Sequence, residues 1–455
     1  MTYVPHTEAE RAEMLAAIGA DRLEALFRDV PENVRFPKLE LPPPCSEIEI
    51  EREMRELSAR NFTPDPSSCF LGAGTYHHHR PATVDYVLQR GELYTAYTPY
   101  QPEVSQGVLQ ALFEYQSMIC RLMGLEVSNA SHYDGATALA EAVLLALNVG
   151  QGKRTKVLLS PAVHPQYRAV VKTYLRGMDA TITGDADGST GLDQLTTQLD
   201  ETTAALVIQN PNFFGQFEPV DGLAAAVHAA GALLIVGTDP IALGRFRPPG
   251  AYGADIAVAE GQCLGIPPTF GGPHLGIFAT RLAHVRRLSG HLVGETVDLE
   301  GRRGYVLTLA TREQHIRRAR ATSNICTNST ACALAAAAYL ASMGKSGLRK
   351  VAELCFHNSH YAAAEIASLP GFAVNPPAVN PRAPDRPFFK EFVVRLPRPV
   401  SEVNRSLREQ FGIIGGYDLG RDYPHLTGHT LLAVTELHTR ADIDRLVAAL
   451  GHAAK

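Results

Sequence analysis

Ala232–Leu243 reads ALLIVGTDPIAL, and Gly253–Gly276 reads GADIAVAEGQCLGIPPTFGGPHLG. Each stretch carries a short apolar, β-rich run, Leu233–Val236 and Ile256–Val258, bounded by Gly, Pro and Asp, which marks a buried strand. The alternation continues outward. Upstream come strand Val157–Ser160, helix Pro165–Met178, strand Ala180–Thr183, helix Leu192–Leu199, strand Ala204–Gln209 and helix Gly222–Ala230, and downstream strand Leu275–Thr280. Short strands alternating with helices of about ten residues imply right-handed crossovers and an α/β domain built on a mainly parallel, doubly wound sheet.

Two further regions flank this domain. At the start, Thr7–Arg28 and Glu47–Arg60 read as helices joined by the Pro-rich Pro37–Pro44. Met14, Leu15, Ile18, Leu23 and Leu26 fall close to one face, so an arm leaning on another domain or subunit is expected. At the end, the Ala-rich Ser329–Ala341 and helix Leu348–Leu369 lead through the Pro-rich Pro376–Pro387 into a small α+β unit. Its elements are strand Phe392–Leu396, helix Ser401–Phe411, strand Leu431–Thr435 and helix Arg440–Ala449, the last marked by a capping-box spacing of Thr439 and Asp442. The division expected is a helical arm over 1–60, a large α/β domain over 61–330 and a small domain over 331–455.

The chain has 455 residues, 45% hydrophobic and 20% charged, with 42 Lys+Arg against 47 Asp+Glu. That composition belongs to a globular chain of two or three domains. With a net charge of -5 and no run of five like charges, neither nucleic acid nor a membrane surface is expected as a partner. The most apolar stretch, Leu223–Gly237, is interrupted by His228 and Gly231, and Met1–Glu10 lacks the apolar core of a secretory signal, so a cytoplasmic location is expected. Seven scattered cysteines without a C-x-x-C pair speak against a disulfide framework and structural zinc.

The residues just beyond the strand ends carry the chemistry. Asp239 at the end of a buried strand, then a second strand and a Gly-rich turn, resembles the fold-type I pyridoxal phosphate enzymes. In those enzymes such an aspartate pairs with the protonated ring nitrogen. Laying their usual pattern on Gly253 onward puts Cys263 where the coenzyme-binding lysine belongs, and Gln262 where its histidine neighbour belongs. Only an amine condenses with the coenzyme's aldehyde. No lysine occurs between Lys172 and Lys345, so none is expected to stand in nearby. The coenzyme's phosphate would sit where Ser131–Glu141 runs from loop into helix. There Asp134 is placed to cap the helix itself and to repel a phosphate. His164 has two readings, a ring stacked on a pyridine or a satisfied histidine at a strand-to-helix turn, and the second is preferred. His77, His78 and His79 in an extended segment point alternate ways, and no metal site is expected. Leu93–Gly107, with three tyrosines and two prolines, makes a rigid aromatic loop suited either to packing at a core or interface or to substrate contact.

Six segments, FLGAGTYHHH (70–79), TAYTPYQPEVSQG (95–107), FEYQ (113–116), YDGAT (133–137), GQCLGIP (261–267) and ATSNICTN (321–328), closely resemble subunit 1 of the two-chain P-protein of the glycine cleavage system, and the likeness spans essentially the whole chain. The resemblance implies a subunit of a glycine-decarboxylating oxidoreductase, inactive alone and without covalently bound coenzyme. The pyridoxal phosphate would be held by a partner subunit 2, and two copies of each would form a heterotetramer. That complex would decarboxylate glycine and pass the aminomethyl group to the lipoyl arm of H-protein. On this reading Tyr97, Thr98, Tyr100, Gln101, Glu103, Ser105 and Gln106 line the partner's active site or lipoyl channel from across the interface, while Asp134, His164, Asp239 and Cys263 are degenerate coenzyme positions. Departures are small: histidine is richer at 77–79, with His78 as the matching position, and Cys263 stands where the family more often has proline. The alternatives are a self-sufficient coenzyme enzyme, which Cys263 opposes, and a catalytically inert scaffold or regulatory subunit.

Overall fold

The fold, obtained as a computed structural model, is described for residues 5–93, 98–379 and 386–454. It resolves into two compact units, Met1–Thr63 and Pro64–Lys455. In the first, α1 (Glu8–Ala17) and α2 (Glu47–Ser58) each start on a capping box, Thr7 with Glu10 and Ser46 with Glu49, in which the cap hydroxyl and the acid satisfy each other's free backbone donors. The first helix is shorter than the periodicity suggested. Gly19, at φ 71, follows its end in the left-handed conformation that stops helices, and Leu23–Phe27 resumes only as a 3-10 turn. No residue of α1 or α2 is buried, and Leu39, Leu41 and Ile48 lie 67%, 73% and 70% exposed.

In the second unit, α3 (Ala82–Leu88) and α4 (Gln106–Met123) precede a seven-stranded sheet. Its strands are β1 (Val127–Ser128), β2 (Lys156–Leu159), β3 (Thr181–Thr183), β4 (Thr203–Gln209), β5 (Leu233–Thr238), β6 (Ile256–Glu260) and β7 (Gly276–Thr280), in the order β1-β7-β6-β5-β4-β2-β3. From β3 through β6 the pairings are parallel, whereas β7 pairs antiparallel with both β6 and β1. The crossovers are α5 (Gly135–Val149), α6 (Pro165–Leu175), α7 (Leu192–Thr196) and α8 (Leu223–Ala229). Because side chains alternate across a strand, Val157, Leu159, Ala205 and Val207 pack against α5 and α6 on one face, and Leu158, Leu206, Ile208 and Leu234 pack with α7 and α8 on the other. Both faces are therefore covered, and polar groups gather beyond the C-terminal ends of the strands.

A hairpin of β8 (Val293–Val297) and β9 (Arg303–Leu307) then packs on α4, followed by the short α9 (Gln314–Arg317). The long α10 (Thr330–Ala367) is broken at Gly344, whose φ 58 and ψ -175 lie outside the helix, so the Ala-rich stretch and the following helix are two pieces as expected. The small sheet runs β10-β11-β13-β12, all antiparallel: β10 (Ala373–Val374), β11 (Glu391–Arg395), β12 (Tyr417–Asp418) and β13 (His429–Ala433). With α11 (Val400–Phe411) and α12 (Arg440–Ala453) it encloses Phe392, Val394, Leu432, Ile443 and Leu446. Phe70 joins this core. Its amide donates to the Ile414 carbonyl, and its carbonyl accepts from the Ala433 amide, at 2.9 Å each. The segment after Phe70 thus leaves the small sheet and enters the cleft beside the large one. Among the described residues no helix is long and apolar enough to cross a membrane.

Candidate functional site

The cleft lies where β5 and β6 end and where the small sheet leans over them. Gly74, Tyr76, His164, Tyr167, Asn212, Phe213, Asp239, Glu260, Cys263 and Glu391 line it, around a cavity of about 50 Å³, room for a few water molecules. Asp239 follows β5 as the strand pattern required, and one carboxylate oxygen accepts from the Ile241 amide at 2.9 Å. Its other oxygen meets the Lys390 ammonium at 2.5 Å. Here sequence distance misled. Lys390 lies far along the chain from Asp239, yet it enters the cleft from the start of β11.

Three features deliver that lysine. The Asn212–Phe217 turn binds the strand entering β11, with the Phe389 amide donating to the Gly215 carbonyl and the Phe217 amide to the Pro387 carbonyl, both at 2.9 Å. Lys390 itself holds φ 62, a conformation that costs a non-glycine residue about 1 kcal/mol or more and persists only where the surroundings enforce it. Its side chain is 1% exposed, lies 3.3 Å above the centre of the Tyr76 ring and approaches His78 Nε2 at 3.4 Å. Burial works most strongly against the charge on Lys390, but the neighbouring acidic groups, Asp239 foremost and Glu391 with it, together outweigh it and hold the ammonium above its ordinary range.

A polar network surrounds the pair. Glu391 accepts from the Ala73 amide at 2.7 Å and from the Tyr76 hydroxyl at 2.8 Å, and burial pushes its carboxyl up to about 7. The Gln262 amide brackets the backbone of Tyr76, accepting from its N–H and donating to its carbonyl at 3.0 Å each. Glu436 accepts from His78 Nδ1 at 2.7 Å and from the His79 amide at 2.6 Å. Burial opposes its charge, yet these partners hold its carboxyl down at about 2. Cys355 donates to the same carboxylate at 3.3 Å, so His78, Cys355 and Glu436 bring ligand-type atoms within 4.8 Å of one another. Burial holds the Cys355 thiol well above its ordinary range, and the three groups satisfy one another through hydrogen bonds.

The positions expected to be degenerate can be placed one by one. Cys263 is buried, its sulfur directed to the Glu260 carbonyl at 3.7 Å, and burial drives its thiol far above the reactive range. Asp134 caps α5: its Oδ1 accepts from the Thr137 amide at 2.7 Å, and Thr137 Oγ1 accepts from the Asp134 amide at 3.1 Å. Glu260, which the sequence pattern does not single out, accepts from the Gly135 amide at 2.9 Å, so two carboxylates occupy the start of this helix. His164 caps α6. Its Nδ1 accepts from the Gln166 amide at 3.1 Å, and its Nε2 donates to the Ala73 carbonyl at 2.8 Å, a tautomer assigned from this network. The ring also stacks on Tyr167 at 4.9 Å, and burial lowers its basicity. Both nitrogens are engaged, as in the satisfied histidine at a strand-to-helix turn.

The aromatic loop lies elsewhere. Tyr97 is outside the described residues. The Thr98 hydroxyl is bonded to that of Thr327, and Ser105 is buried. Gln106 donates to the Tyr305 carbonyl and accepts from the Tyr305 amide, both at 2.9 Å, so its amide acts as an extra strand partner for β9. Tyr100, 51% exposed, stands edge-on to the His291 and His315 rings at 5.8 and 5.6 Å, and Gln101 and Glu103 are exposed beside it. The loop is braced from within by Thr98, Ser105 and Gln106 and shows Tyr100, Gln101 and Glu103 to the outside.

Comparison with known proteins accounts for a cleft of this kind. A family model described as glycine cleavage system P-protein matches residues 1–450. A relative from Thermomicrobium roseum, named probable glycine dehydrogenase (decarboxylating) subunit 1, is 54% identical over the full length of both chains, and one of the same name from Moorella thermoacetica is 51% identical over 99% of each. A crystal structure of glycine decarboxylase (P-protein) of the glycine cleavage system, in inhibitor-bound form, superposes with a TM-score of 0.88 at 48% identity, covering both chains fully. A sphingosine-1-phosphate lyase from Burkholderia pseudomallei, 16% identical with a TM-score of 0.60 over 93% of this chain and 94% of its own, shares the fold alone. The fold is that of the fold-type I pyridoxal phosphate enzymes, and the chain belongs to the glycine cleavage system P-protein family.

Proposed function

We propose that this chain is the coenzyme-free half of a two-chain glycine decarboxylase, paired with a subunit 2 that holds the pyridoxal phosphate, as two copies of each. The observation that carries this reading is the pairing of Cys263, at the site where an amine is required, with a braced aromatic loop whose free tips face outward. Without a free amine at residue 263 the cleft cannot hold the coenzyme as a covalent imine. The printed name "subunit 1" of the relatives supports a second subunit. When bound by that partner, the coenzyme withdraws electrons from the carbon that loses carboxylate, and the aminomethyl group passes to the lipoyl arm of H-protein.

This chain's contribution is to shape the partner's site. The Tyr100 hydroxyl, the Gln101 amide and the Glu103 carboxylate supply hydrogen-bonding tips on a loop that Thr98, Ser105 and Gln106 keep rigid, and rigid placement of such groups is what converts contact into rate. The exposed apolar face of the α1–α2 arm is offered to the same partner.

The test is reconstitution with a subunit 2 chain, followed by glycine and bicarbonate exchange and by H-protein aminomethylation. The chain alone is expected to be inactive and the mixed complex active. In that complex, Tyr100→Phe and Gln101→Ala are each expected to lower turnover by about tenfold, the loss of one well-placed hydrogen bond. If the complex stays intact and both variants turn over normally, the subunit is a scaffold only.

A further inference from the structure

We infer that this chain fills its own coenzyme cleft with side chains that copy the coenzyme's charges: the Lys390 ammonium stands on Asp239 in place of a protonated ring nitrogen, and the Asp134 and Glu260 carboxylates stand at the start of α5 in place of the phosphate. The inference rests on the fold, so its failure would leave the glycine reading of the complex intact. The residues present do not fit pyridoxal phosphate, and they fail at all three of its ends. At the ring nitrogen, Asp239 is already paired at 2.5 Å with a cation that is 1% exposed. At the phosphate, the Gly135 and Thr137 amides that a helix start would offer an anion are taken by Glu260 at 2.9 Å and Asp134 at 2.7 Å. At the aldehyde, the side chain is the Cys263 thiol.

The packing between these ends agrees. A Cβ built on Gly135 would lie 2.4 Å from the Tyr167 hydroxyl, so the Tyr167 ring already closes over the helix start where a phosphate would have to enter. A bound coenzyme brings one positive charge to the aspartate and two negative charges to the helix start. Lys390 stands where the first would be, and the Asp134 and Glu260 carboxylates stand where the second would be, Glu260 also facing His274 Nδ1 at 3.3 Å. The lysine that reaches the cleft is therefore not a substitute for the missing amine. Its nitrogen is ion-paired with Asp239 and lies over the Tyr76 ring, whereas condensation with an aldehyde needs a free lone pair.

The experiment restores the amine without emptying the cleft. The full-length Cys263→Lys chain is incubated with pyridoxal phosphate alone, reduced with borohydride and mapped by mass spectrometry, beside the unsubstituted chain and Cys263→Lys/Lys390→Ala/Glu260→Gln. The expected result is no adduct at residue 263 in the single variant and an adduct there in the triple variant. A stoichiometric adduct at residue 263 in Cys263→Lys alone overturns the proposal. A second measurement does not depend on residue 263. Lys390→Ala is melted with and without ethylammonium, a small cation that can return to the vacated place, and the cation is expected to raise its melting temperature by about 2 °C or more relative to the unsubstituted chain. A Lys390→Ala chain that melts with the unsubstituted one and ignores ethylammonium overturns the proposal equally.

Discussion

Replacing Lys390 with methionine keeps an unbranched apolar side chain one atom shorter and removes the charge, so the change reports on the ion pair with Asp239 together with the contact on the Tyr76 ring. Lys390 is 1% and Asp239 17% exposed, and their atoms are 2.5 Å apart. Removing one member of a fully buried pair costs about 3–5 kcal/mol because the other charge is left without a partner. Asp239 keeps the Ile241 amide and some solvent access, which places the pair's share near the lower bound. The ammonium's contact with the Tyr76 ring adds about 1–2 kcal/mol where the site is dry, partly offset by the packing of the new thioether. We expect a loss of about 3 kcal/mol for Lys390→Met, measured by urea denaturation at constant pH. Asp239→Asn, which strands the lysine instead, should also lose stability. The double variant leaves neither charge, and should be at least about 2 kcal/mol more stable than the sum of the single losses predicts. A coupling below about 0.5 kcal/mol would refute the reasoning, since the two groups would then be near each other without depending on each other.

Burial and geometry lead to four more expectations. Burial pushes the Glu141 carboxyl up to about 7 against hydrogen bonds from Ser323 and Ser289. Its folded value lies above its unfolded one, so its contribution is intact below about pH 4.5 and is lost as pH rises toward 7. Glu141→Gln should therefore be near neutral at low pH and stabilising by up to about 3 kcal/mol above pH 7, and parallel pH–stability curves would contradict this. Gly215→Ala places a Cβ 1.9 Å from the Glu391 carbonyl oxygen at φ +81, so it should destabilise the chain by about 3 kcal/mol or more and displace Lys390. Deletion of residues 1–60 should leave the far-ultraviolet spectrum of the remaining unit folded but weaken the mixed assembly, read by analytical ultracentrifugation. An unchanged dissociation constant would remove the arm from the interface. In native alkylation, Cys45 and Cys326 should react and Cys263, Cys332 and Cys355 should not, because the first two are exposed and the other three buried.

The parallel sheet was readable because each strand carries its own local signal. Leu206 and Val207 face opposite layers, both apolar, and no partner element is needed to recognise such a run. The self-capped α5 was readable for the same reason, since Asp134 and Thr137 are three residues apart. Lys390 was not. Its role depends on the Asn212–Phe217 turn, on an unusual φ and on a ring from the segment after Phe70, none of which leaves a mark near residue 390 in the sequence. Glu260 is an intermediate case: a charged residue closing an apolar strand reads as a solvated end, and only the fold shows the Gly135 amide opposite it. Gln106 looked like a contact residue in an aromatic loop, yet Tyr305, 199 positions later, engages both ends of its amide.

The place of Asp239 in a cleft that has a thiol at residue 263 has the same physical basis. A helix start presents unpaired amides and a partial positive charge, and the end of a buried strand with a carboxylate presents the opposite, whether or not a ligand is bound. A coenzyme would satisfy both at once, and a cleft without one would leave two uncompensated sites in a region that cannot hydrate them fully. Mutating both away would demand simultaneous changes in β5, β6 and the start of α5. Supplying counter-charges requires only that side chains already bordering the cleft turn inward, and Glu260 and Lys390 do so from the end of β6 and the start of β11. The resulting network ties Tyr76, His78, Glu391 and Glu436 to the pair and joins both sheets through buried polar groups. A cleft closed in this way fixes the small sheet against the large one, which is the stiffness a subunit needs if its task is to hold a loop in position for its partner.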